Sequence, residues 1–87
     1  MEEGIEIARQ LMTGLLERIG VKAEVKGFLG EGDIYLEIQS DREGILIGKH
    51  GRTLESLQFL INRMVNKQLK EPMRVVLDIN DYRKRRA

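Results

Sequence analysis

The spacing of apolar residues along this chain changes near Gly20, again near Ser40 and again near Pro72. Each change marks a switch between helix and strand, and the order of switches restricts the fold to a few arrangements. Before Gly20, residues Ala8, Leu11, Met12, Leu15, Leu16 and Ile19 recur in steps of three and four. That spacing predicts an amphipathic helix from about Glu3 to Ile19, ended by Gly20. Gly14 lies inside it, at a cost of about 1 kcal/mol relative to Ala, and reads as a point of close packing. The period then falls to two. Ala23, Val25, Gly27 and Leu29 share one face, with Lys22, Glu24, Lys26 and Phe28 on the other. Ile34, Leu36 and Ile38 alternate with Tyr35, Glu37 and Gln39. Gly30-Glu31-Gly32-Asp33 between the two runs is turn chemistry, so they predict an antiparallel hairpin.

Ser40 followed three residues later by Glu43 has the spacing of a capping box. It predicts a short helix carrying Ile45, Leu46 and Ile47, stopped by Gly48. A longer helix after Gly51 is expected to bury Leu54, Leu57, Leu60, Ile61, Met64, Val65 and Leu69, with Glu71-Pro72 closing it. Val75, Leu77 and Ile79 alternate with Arg74, Val76 and Asp78 as a third strand. The order α-β-β-α-α-β predicts an α+β domain, a three-stranded sheet with helices packed on one face. At 87 residues the chain has room for one such core. The domain is expected over residues 1–79. Residues 80–87 read as a basic C-terminal tail, solvated or opening a further segment.

Charge is divided unevenly. Residues 1–47 hold five Lys/Arg against ten Asp/Glu, a net of −5; residues 48–87 hold ten against four, a net of +6. A positive face of this kind suits a polyanionic partner. The absence of cysteine excludes disulfides, thiolate metal sites and cysteine nucleophiles and fits a reducing cytoplasm. No apolar run approaches the roughly 18 residues of a membrane span. The acidic start Met1-Glu2-Glu3-Gly4 lacks the basic opening of a signal peptide.

The candidate site is Gly48-Lys49-His50-Gly51. Its Gly-x-x-Gly spacing is weak evidence alone, because Gly27-Phe28-Leu29-Gly30 has the same spacing across a strand and its turn. Context separates the two. Gly48 follows a short apolar helix, Gly51 precedes a long one, the residues between them are Lys49 and His50, and Arg52 comes next. Free N–H groups at a helix start carry partial positive charge and attract phosphate. Glycine clears the approach, while Lys49 and Arg52 add full charges. Ile45 and Ile47 are candidates for an apolar wall against which bases lie. Walker A and dinucleotide-binding loops are excluded, since neither their glycine spacing nor their strand context is present.

These residues resemble a KH domain of the type II, prokaryotic topology. The stretch from Gly48 to Leu60 is especially similar to the KH domain of the Jag family. Arg74-Val75-Val76-Leu77-Asp78 and Asp81-Tyr82-Arg83-Lys84-Arg85-Arg86 resemble the end of that domain. The resemblance covers essentially the whole chain. It implies a groove for about four unpaired nucleotides with the Gly-x-x-Gly loop on one side. It also implies a bacterial, cytoplasmic protein linked to the membrane-protein insertase and to cell elongation. A second single-strand-binding domain would follow the KH domain, about where this chain stops.

The expected RNA-binding residues are therefore Ile45, Ile47, Gly48, Lys49, His50, Gly51 and Arg52. The expected partner is single-stranded RNA, with single-stranded DNA as the alternative nucleic acid and without membrane insertion. No cofactor is implied. A lone histidine makes no metal site, and Asp41 and Glu43 are better explained by helix capping than as an acid–base pair, so no enzyme is expected. Two Phe and two Tyr, none beside the loop, argue against an RNA-binding sheet of stacked aromatics. The rival reading is a protein-interaction module that docks partners or neighbouring domains on the outer sheet face, where Phe28, Tyr35 and Val76 alternate.

Overall fold

A computed structural model describes residues 2–86. It contains α1 (Glu2–Arg18), β1 (Glu24–Gly30), β2 (Asp33–Gln39), α2 (Glu43–Ile47), α3 (Arg52–Asn66), β3 (Val75–Ile79) and α4 (Tyr82–Arg86), with a single 3-10 turn at Lys49–Gly51. The sheet order is β1-β2-β3. β1 and β2 form the expected antiparallel hairpin, while β3 joins β2 in parallel. This is the α+β arrangement of a type II KH fold.

Period-two alternation puts Ile34, Leu36, Ile38, Val75, Leu77 and Ile79 on the inner face, each at most 1% exposed. Against them lie Ala8, Met12 and Leu16 of α1, Leu46 of α2, and Leu54, Ile61 and Val65 of α3. No polar side chain among the described residues is buried. At Gly27, α1 comes so close that a Cβ would lie 2.9 Å from Ile5 Cγ2. Gly14, expected to serve close packing, has nothing within 4 Å of its would-be Cβ.

Three expected core residues are exposed. Ile19 lies past the end of α1, and Leu29 and Leu60 keep the expected period but are 41% and 42% exposed. Leu69 also falls outside α3, which ends at Asn66.

Backbone polar groups on the open edge of β3, and at Met73 just before it, are met by side chains of α3 and α4. Asn66 Oδ1 accepts from Met73 N–H at 2.7 Å, and its Nδ2 donates to Met73 O at 2.8 Å. Asn62 repeats this at Val75, at 2.8 and 2.6 Å. Gln58 Oε1 accepts from Leu77 N–H at 2.8 Å, and Arg83 donates to Leu77 O through Nε at 3.0 Å and Nη2 at 2.9 Å. The two periods fit: four helical residues advance about 6 Å and two strand residues about 6.6 Å. Amides at every fourth helix position therefore meet every second strand residue, with α3 running antiparallel to β3. The pairing fixes the height and rotation of α3, and so the place of the loop at its start. It also closes a sheet edge otherwise open to strand addition.

Asn62→Leu removes both partners of Val75 and is expected to destabilise the fold by about 2–4 kcal/mol. Urea unfolding measures this, with the exposed Phe59→Ala as a control expected to shift stability by about 0.5 kcal/mol or less. Gly14→Ala is expected to stabilise by about 1 kcal/mol, read as a higher urea midpoint at unchanged slope.

Candidate nucleic-acid interface

The loop between α2 and α3 is built from backbone angles that favour glycine. Gly48 ends α2 with φ +73 and ψ −176, and its N–H donates to Gly44 O at 3.1 Å. A Cβ there would fall on Thr53, whose Oγ1 and Cβ press against the glycine. Gly51, with φ +78, begins α3. His50 between them also takes the left-handed region, with φ +58, a conformation costing a non-glycine residue roughly 1–2 kcal/mol. Among the described residues no side chain caps the first turn of α3, so its outward N–H groups are left without a side-chain acceptor there.

The residues selected from sequence are contiguous but differ in access. Lys49, His50 and Arg52 are exposed, and Ile45 is 52% exposed on the free side of α2. Gly48 is half-buried. Ile47, at 6% exposed, belongs to the core. Gly51 is buried because Tyr82 of α4 packs on it: a Cβ at Gly51 would lie 3.2 Å from the phenol oxygen.

The expected capping box does not form. Ser40 Oγ accepts from Arg42 N–H at 3.0 Å and donates to Lys22 O at 2.9 Å, while the residue before α2 is Arg42, with no side-chain cap. Glu43 turns instead to Asn80, whose Nδ2 donates to Glu43 Oε1 and to Ser40 O, both at 2.7 Å. Arg85 adds an ion pair to Glu43 at 3.2 Å. Asn80 and Asp81, with φ +50 and +57, turn the chain back after β3 so that α4 lies beside the loop.

The segment read as a tail is thus a short helix tied to the loop, α2, α3 and β3. Arg86 Nη1 donates to His50 O at 3.1 Å and to Tyr82 OH at 2.7 Å. Arg83 Nη2 donates to Gln58 Oε1 at 2.8 Å. His50, Gly51, Leu54, Glu55, Tyr82, Arg83 and Arg86 line a cleft of about 440 Å3 beside the loop. Five residues, four of them cations, carry no periodicity by which sequence reasoning finds a helix. The one legible signal was Asn80-Asp81, a pair tolerant of left-handed turns.

A family model described as "KhpA/KhpB, KH domain" matches residues 5–79. The chain belongs to the KhpA/KhpB KH-domain family. The RNA-binding protein KhpB of Clostridium symbiosum is 35% identical over 85 residues, covering 98% of this chain and 37% of that protein. The RNA-binding protein KhpB of Lactiplantibacillus plantarum is 34% identical over 86 residues, 99% of this chain and 27% of that protein. That of Streptococcus pneumoniae serotype 2 is 27% identical over 85 residues, covering 26% of its length. The KH resemblance of Jag type drawn from the loop and its flanks is borne out by these matches. The chain spans between 26% and 37% of the length of these KhpB relatives. No described helix is long and apolar enough to cross a membrane.

The Asn80 hydrogen bond, and then the Arg85 charge, hold the Glu43 carboxyl below its ordinary range. A lowered folded-state pKa means the contact is complete at neutral pH and is lost as pH falls through that lowered value. The Asn80 side-chain amide signals are expected to shift with a midpoint below the ordinary glutamate value, as followed by NMR. Glu43→Gln is expected to abolish that titration.

Proposed function

We propose that this chain is a single-stranded RNA-binding module which grips the phosphate backbone with Gly48-Lys49-His50-Gly51. The observation that carries the reading is the loop itself. Lys49 and His50 stand exposed between two left-handed glycines, directly before a helix start whose N–H groups lack a side-chain cap. Such a start attracts phosphate, and Lys49 supplies a full charge beside it. Arg52 extends the positive surface along α3, and Ile45 offers an exposed apolar side chain across the loop. Ile47 supports the site from the core. Relatives named RNA-binding proteins, matched over nearly this whole chain, favour RNA as the polyanion. RNA is preferred to single-stranded DNA on that ground, and no enzymatic role is proposed.

A part in cell elongation and membrane-protein insertion, which the Jag resemblance implies, would belong to a longer protein of which this chain is one module. A second reading, partner docking on the outer sheet face, is favoured by one feature. Phe28 and Tyr35 stack there at 5.3 Å between ring centroids, with Phe28 44% exposed.

Fluorescence anisotropy with short unstructured RNAs tests the loop. Lys49→Asp/His50→Asp is expected to weaken binding at least about tenfold, one charge reversed and one negative charge added facing phosphate. If about three phosphates are neutralised, the log–log salt slope is expected near −2. Unchanged binding by the double variant would sink the loop reading, and a salt-independent affinity would favour the docking surface.

A further inference from the structure

The cleft beside the loop is half built by α4, a segment outside the matched family residues 5–79. We propose that this cleft is a nucleobase pocket selecting guanine in the bound strand, an inference resting on the RNA reading above. Its volume of about 440 Å3 lies within the roughly 300–1,000 Å3 of ligand pockets. The lining is mixed in a way that suits a base. Leu54 and the Tyr82 ring are apolar, His50, Arg83 and Arg86 supply donors, and Glu55 supplies a carboxylate. Glu55 can accept from the donor edge of a base, a partner that the backbone phosphate, which carries only acceptors, does not offer.

Among the lining groups open to a ligand, Glu55 and Arg86 form a complementary pair. Glu55 is exposed in the first turn of α3, where the positive end of the helix favours a carboxylate. Its carboxylate makes no hydrogen bond or ion pair among the described residues. Arg86 uses only Nη1 for His50 O and Tyr82 OH, leaving Nε and Nη2 as donors, with the guanidinium 6.0 Å from the Tyr82 ring centroid. Guanine alone among the RNA bases offers two neighbouring N–H donors, N1 and N2, matching the two oxygens of a carboxylate. It also offers two neighbouring acceptors, O6 and N7, matching an arginine. Adenine lacks the donor pair, cytosine presents one amino group, and uracil one N–H between two acceptors. An unpaired strand exposes both edges of its bases.

The test is fluorescence anisotropy of the 87-residue chain with a uracil hexamer and with hexamers carrying one central guanine, adenine or cytosine. The guanine hexamer is expected to bind at least about tenfold more tightly than the others, as a bidentate base contact allows. Glu55→Gln is expected to bring that ratio below about threefold. Equal affinity for all four RNAs, or a guanine preference that survives Glu55→Gln, would overturn the pocket while leaving the loop reading in place. Failure of every RNA to bind the wild-type chain would overturn both.

Discussion

Three amides on one stripe of α3 hold the long helix to the edge of the sheet. Gln58, Asn62 and Asn66 meet Leu77, Val75 and Met73 in step. Apolar burial alone would let a helix slide or roll on the inner face, because it is non-directional. Hydrogen bonds to fixed backbone groups do not allow this, since a slip by one turn would leave donors and acceptors of β3 unpaired, at about 1–3 kcal/mol each. With α3 fixed, the start of that helix and the loop before it are fixed too.

The loop is held from its other sides by α4. Tyr82 covers Gly51, and Arg86 takes the carbonyl of His50, the loop residue that carries left-handed strain. Arg85 and Asn80 tie the same segment to Glu43 at the start of α2. The loop thus presents Lys49 and His50 from a braced backbone rather than a mobile hairpin. A binding backbone that is already ordered forfeits less conformational entropy when it takes a ligand.

The elements were legible in the sequence because their periods are pure. Ile34, Leu36 and Ile38 alternate without a break, and the Gly30–Asp33 turn leaves little choice of register. Gly48 and Gly51 were legible as a special turn because helices flank them. What was not legible depends on contacts between distant residues. Gln58, Asn62 and Asn66 look like an ordinary solvated flank until β3 is placed beside them. Ser40 and Glu43 have capping-box spacing, yet Asn80, distant in sequence, offers Glu43 a better partner. Leu29 and Leu60 keep the right period at exposed positions. The role of α4 was hidden because its cations resemble any basic tail.

Lys49, Arg52, Arg83 and Arg86 place part of the positive second half of the chain at or beside the loop. The central claim is that the loop face, and not the Phe28–Tyr35 face of the sheet, receives the ligand. Backbone-amide NMR during titration with a short unstructured RNA tests it most directly. The largest shifts are expected at Gly48–Thr53 and Tyr82–Arg86, with the outer strands quiet. Shifts centred on Phe28, Tyr35 and Val76, with the loop unmoved, would contradict it.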